Sequence, residues 1–86
     1  MPEPIESLMN LGPKSGEWLR AVGIVSIDDL RAVGPIDAYC LVKQNFPRAS
    51  LNLLWAMDAG LKNKHWRSLT SDRKDHLRRR VNHLLS

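Results

Sequence analysis

A single cysteine, Cys40, stands among 86 residues. No disulfide can close within the chain, and the sequence suits a reducing compartment. One phenylalanine and one tyrosine are present, and no segment alternates apolar and polar residues as a half-buried strand would. No apolar run approaches the roughly 18 residues that a membrane span needs. The N-terminal Met1 to Glu6 is acidic and carries two prolines, which is unlike a signal peptide. The phosphate loop, the dinucleotide fingerprint and paired catalytic carboxylates are missing as well. These absences leave a cytoplasmic protein with no membrane association and no cofactor as the expectation.

What is present is ordinary in bulk and uneven in detail. The length allows one domain with one modest core. The 43% hydrophobic and 26% charged content is that of a globular protein. The net charge of +4 conceals an asymmetry. Residues 1–61 carry five basic and seven acidic side chains, a balance of −2, whereas residues 62–86 carry eight and two, a balance of +6. A basic C-terminal quarter could attract nucleic acid or an acidic partner, or could be a solvated helix face.

The chain is organised around Leu8 to Leu30. At its centre, Asn10 and Gly12 can both take left-handed backbone angles. Pro13 then opens a helix at the position where its missing N–H costs nothing. That helix carries Trp18, Leu19 and Val22 and should stop at Gly23, a residue suited to a left-handed C-terminal cap. Ser26 caps the next helix, with Asp28 and Asp29 in its first turn. Gly16 lies within the first of these helices and would allow another helix to cross closely.

Around this hairpin the spacing predicts further short helices. Ile5, Leu8 and Met9 suggest one or two turns before the hairpin. Gly34-Pro35 ends the helix Ile27 to Val33 and starts another, with the stem of Lys43 on its apolar side and its ammonium in water. Pro47 closes that helix. Ser50 then caps Leu51 to Ala59, which is apolar over most of its circumference and so the central buried helix; Gly60 marks its end. Residues 62–70 form a connector anchored by Trp66 and Leu69. Thr70 or Ser71 caps a last helix, from about Asp72 to Leu85, with a narrow stripe of Leu77, Val81, Leu84 and Leu85. The fold class is all-α, a compact single domain over residues 1–86 of five to six short helices, with residues 1–4 loose.

Catalysis finds little support. His76 and His83 lie seven residues apart, about 10 Å along a helix axis, too far to share a metal. Cys40 sits on an apolar face and reads as a small core hydrophobe. The hairpin offers more. The amides of Gly12, Lys14, Ser15 and Gly16 cluster at the positive end of a helix, beside the Lys14 ammonium, and together could hold a phosphate oxygen. The same turn could equally serve only to join two helices. Trp18 and Trp55 are expected in the core. Trp66, flanked by His65 and Arg67, reads as a surface contact element as readily as an anchor.

Leu11-Gly12-Pro13-Lys14-Ser15, followed by Leu19 and Gly23-Ile24, resembles a helix-hairpin-helix element, which holds the DNA backbone without reading sequence. It departs from that pattern at Asn10, where glycine is usual, and at Gly16, where alanine is usual. Over nearly its whole length the chain resembles the C-terminal domain of the TfoX (Sxy) family of bacterial regulators linked to natural competence. The residues that carry this are Asn10 to Ile24, Ile27 to Arg31, Val33-Gly34, Ala38-Tyr39, Ser50 to Ala56 and His65-Trp66. Full-length members carry a separate N-terminal domain, so the chain looks like a stand-alone version of the C-terminal module.

The resemblance implies a non-enzymatic regulatory or adaptor module for DNA transformation. It would act on a protein of the transcription machinery or a regulator, with His65, Trp66 and Arg67 as candidate contacts. The alternative is binding of the DNA backbone through Gly12, Lys14, Ser15 and Gly16, together with Arg73, Lys74, Arg78 and Arg79 on the last helix. Such binding would be phosphate-driven and salt-dependent. The amphipathic last helix could also pair two copies across a two-fold axis into a homodimer.

Overall fold

A computed structural model describes residues 3–85. Five helices follow in order: α1 (Pro13–Ala21), α2 (Ile27–Val33), α3 (Pro35–Asn45), α4 (Leu51–Leu61) and α5 (Ser71–Leu85). Single 3-10 turns stand at Ile5–Ser7 and Trp66–Ser68. Among the described residues there is no strand, only a lone bridge between Pro4 and Ser26. The all-α expectation holds. The expected loose start is only partly covered, since Met1 and Pro2 lie outside the described residues. Glu3 and Pro4 are tied down: Ile27 N–H donates to the Glu3 carbonyl at 3.0 Å, beside the Pro4–Ser26 bridge.

The core forms where the sequence places it, around α4. Every residue from Leu53 to Gly60 is buried, and Leu54, Met57 and Ala59 are completely so. Leu19 of α1, Leu30 of α2, Val42 of α3 and Leu77 of α5 converge on the same cluster. Ser26 caps α2 through a full capping box: its hydroxyl accepts from Asp29 N–H, and the Asp29 carboxylate accepts from Ser26 N–H. Gly23 has φ +90°, the left-handed value expected after α1.

The departures have physical causes. The first segment closes only one 3-10 turn, because three residues after Pro4 are too few to nucleate an α-helix. The helix α4 runs through Gly60 to Leu61, and it is Asn63, at φ +57°, that turns the chain. There Lys64 N–H reaches the Ala59 carbonyl at 2.9 Å. The Lys43 ammonium also donates to the carbonyls of Pro47 and Ala49 at 2.6 and 2.8 Å. Ser50 occupies the N-cap of α4 without a side-chain capping bond. The element packed on Gly16 is the 3-10 turn Ile5–Ser7 rather than a longer helix. The side chain of Glu6 lies there, and its carboxylate grips Arg20 through two hydrogen bonds of 2.5 and 2.7 Å. The Arg20 guanidinium pulls the exposed Glu6 carboxyl down to about 2.

Gly12 is also corrected. Its φ of −108° and ψ of −176° are extended backbone, the region that a residue before proline favours anyway. A Cβ there would meet nothing within 4 Å. Glycine is therefore not required, and serine would be the better N-cap with the less flexible unfolded chain. Gly12→Ser is expected to raise stability by about 0.5–1 kcal/mol, read as a rise of a few degrees in thermal melting. A fall in melting temperature would show that this position needs glycine after all.

Candidate functional site

The hairpin is held by the residue that departs from the helix-hairpin-helix pattern. Asn10 takes φ +78°, and its side chain reaches across the fold. Its amide donates to the Lys64 carbonyl at 2.8 Å and to the Ala56 carbonyl at 3.5 Å, while its oxygen accepts from Trp66 N–H at 3.3 Å. Glycine could supply the backbone angle but none of these bonds. Asn10 thus seats the connector of α4 and α5 beside the start of α1 and fixes where Trp66 stands.

The phosphate-cradle set is smaller than the sequence suggests. Gly16 N–H is engaged with the Gly12 carbonyl at 3.0 Å, and Pro13 has no N–H. Gly12, Lys14 and Ser15 are left, whose amides meet no protein acceptor among the described residues. Lys14 is exposed, and its ammonium lies 5.6 Å from the centre of the Trp18 ring. Trp18 in turn stacks on Phe46, with centroids 5.9 Å apart and planes inclined by 24°.

Trp55 is buried as expected, but Trp18 is only half-buried and borders two grooves. The first, about 350 Å³, is lined by Lys14, Glu17, Trp18, Phe46, Pro47 and Arg48 among others. The second, about 260 Å³, lies between Trp18 and Trp66, with Asn10, Ser15, Ser50 and Asn52 supplying polar groups. The connector continues this surface. Arg67 sits 5.6 Å over the Trp66 ring, and His65 stacks beside it at 5.9 Å. Phe46 and Arg48 are contributors that sequence reasoning missed. The signal available was their place on either side of Pro47, which exposes the end of α3.

The basic strip of α5 does not join this surface. Arg73 makes a two-pronged ion pair with Asp58, at 3.1 and 2.8 Å, and Lys62 approaches the same carboxylate at 3.5 Å. Asp58 is only 3% exposed. Burial pushes its carboxyl up, but the Arg73 and Lys62 cations prevail and hold it below the usual range. Lys74 lies 5.8 Å over the Trp55 ring, and Arg78 is 3.6 Å from Asp75. Arg79 is exposed on α5. Ser15 and Trp18 border α4 at Asn52, Leu53 and Ala56, whereas Arg73 and Lys74 meet it at Trp55 and Asp58. At 100° per residue these two faces of α4 are roughly 130° apart. Of the expected DNA-binding residues, then, Ser15 borders the groove of Trp66 and Lys14 lies at Trp18, apart from those on α5.

A third groove, about 540 Å³, opens where α2, α3 and α5 meet. Val33, Leu41 and Leu84 border it at 36, 39 and 48% exposure, with Asp37 and Gln44 at the edge. Of the narrow apolar stripe Leu77, Val81, Leu84 and Leu85 on α5, only Leu77 and Val81 are buried. Cys40 reaches the bottom of this groove from the core, and burial, then Asp37, push its thiol up, which keeps it protonated. Among the described residues, no three His, Cys, Asp or Glu side chains gather as a metal site would require. No helix among them is long and apolar enough to cross a membrane.

The family model described as the TfoX C-terminal domain matches residues 1–81. Two crystal structures of Listeria monocytogenes proteins, one described as uncharacterised and the other as of unknown function, share the fold. The first superposes with a TM-score of 0.85 at 22% identity, over 96% of this chain and 94% of the other. The second gives 0.84 at 22% identity, over 93% and 99%. No curated protein sequence matches the chain.

Proposed function

The chain belongs to the TfoX C-terminal domain family, and from that premise we propose that it is a non-enzymatic regulatory adaptor of the cytoplasm. It binds a protein of the transcription machinery or a transcription regulator involved in DNA transformation. The observation that carries this is the apolar groove of α2, α3 and α5. Val33, Leu41 and Leu84 are large aliphatic side chains left in water on one face, and such a patch marks a contact surface more often than a solvated one.

Leu41→Glu and Leu84→Glu test it. Both side chains are substantially exposed, so melting temperature is expected to change little. Binding to purified RNA polymerase or to a global regulator should weaken at least about tenfold if the groove is the contact. Unweakened binding would overturn the choice of face, and absence of binding by the unaltered protein to both would overturn the adaptor reading. Sedimentation velocity of the same proteins decides whether the groove instead pairs two copies.

Binding of the duplex backbone is the second reading, and the unengaged amides of Lys14 and Ser15 favour it. It has lost the reinforcement of α5, however. Arg73 is tied to a buried carboxylate, and the strip faces another side of α4.

A further inference from the structure

We propose that the surface running from Arg48 through Trp18 to Trp66 and Arg67 binds single-stranded nucleic acid, independently of the protein contact assigned to the groove of α2, α3 and α5. The two indoles border one slot, and each has a cation over or beside its ring: Lys14 at Trp18 and Arg67 at Trp66. Phe46 extends the Trp18 station, and Arg48 closes the far end. Sequence-tolerant binders of single strands combine these two parts, flat aromatic platforms for bases and cations for the intervening phosphates.

Charge and hydrogen-bonding complementarity select this occupant. Lys14, Arg48 and Arg67 make no ion pair among the described residues, and Glu17 is the one carboxylate lining either groove. The surface is thus net cationic, with Lys14, Arg48 and Arg67 set against Glu17 alone. In the groove that the indoles border, Ser15, Ser50 and Asn52 make no side-chain hydrogen bond among the described residues. They offer both donors and acceptors, which the mixed edges of bases can use. An acidic peptide would be drawn by the same cations but would leave the indoles that border the slot without planar partners. A duplex keeps its bases stacked inside and would use the cations alone.

Fluorescence anisotropy with a labelled oligothymidylate, its duplex with oligoadenylate, and polyglutamate as competitor tests the proposal at low and moderate salt. The single strand is expected to bind more tightly than the duplex and to resist polyglutamate. Trp66→Ala should weaken it about tenfold or more. Lys14→Ala and Arg67→Ala, both at exposed positions, should each weaken binding and lower the salt slope by about one. Arg79→Ala, a charge loss on the exposed side of α5, should leave binding unchanged. Preference for the duplex, equal displacement by polyglutamate, an equal effect of Arg79→Ala, or no binding at tens of micromolar in low salt would each overturn it. None of these outcomes depends on the Leu41 and Leu84 groove, so the adaptor reading stands or falls separately.

Discussion

Arg73→Met is expected to lower stability by about 2–4 kcal/mol at neutral pH, or roughly 10–25 °C in melting temperature for a domain of this size. Methionine keeps much of the apolar stem, so the loss isolates the guanidinium. Without it, the Asp58 carboxylate, 3% exposed, keeps only Lys62 at 3.5 Å. A buried charge deprived of its partner is costly, whereas a partner that can reach water is not. Arg73 is 38% exposed on its side chain, so Asp58→Asn should cost clearly less than Arg73→Met.

The pH dependence gives a second reading of the same pair. In the unaltered protein the folded Asp58 carboxyl lies below its ordinary value. Its contribution is therefore complete above the unfolded carboxylate range and is lost as pH falls through the lowered folded value. In Arg73→Met, burial, the largest influence on Asp58, is no longer outweighed. Protonation then relieves the fold instead of weakening it. Urea unfolding followed from about pH 7 to about pH 3 should show the deficit of the variant shrinking steadily. A deficit that stays constant across that range would mean that Arg73 acts by packing alone.

The second large effect is expected from adding one methyl group. Gly60→Ala in an exposed helix would gain about 1 kcal/mol. Here a Cβ would stand 2.5 Å from the Met9 carbonyl oxygen and 3.0 Å from Leu8 Cγ. The obstacle is backbone, so no change of rotamer removes it. Either α4 moves off the hairpin or the Met9–Asn10 segment shifts and loosens the Asn10 bonds. A net loss of about 2–3 kcal/mol is expected from such overpacking, measured by urea unfolding. Gly16 provides the contrast, because its neighbour is the flexible side chain of Glu6. There alanine should cost less and mainly disturb the Glu6–Arg20 pair. A Gly60→Ala protein as stable as the original would mean that the hairpin does not press on α4.

Gly60 also shows what could be read from the sequence and what could not. Its local signal, glycine at the end of an apolar run, points to a helix end, and the alternative depends on Met9 arriving from fifty residues away. Local chemistry was legible where it is self-contained: the Ser26 cap of α2, the stop at Gly23, the start of α3 at Pro35, the apolar circumference of α4. It failed where tertiary contacts decide. Arg73 and Lys74 read as free surface cations until Asp58 and Trp55 are placed beside them. Trp18 read as core because large indoles usually are, and only the juxtaposition with Phe46 and Trp66 reveals the grooves. Asn10 looked like a blemish in a motif, yet its side chain makes three long-range bonds.

The way α5 is attached has a dynamic consequence. The helix spans fifteen residues but buries only Leu77 and Val81 fully, with the Asp58–Arg73 pair near its start. Beyond Val81 no side chain of α5 is buried, so its last turns are the part of the helix expected to open first while the body stays folded. Leu84 travels with those turns. The groove between Leu84 and Leu41 is therefore present only while the helix is closed, and a ligand seated there holds it closed by mass action. Occupancy of the apolar groove and the motion of the C-terminal helix are two readings of one equilibrium.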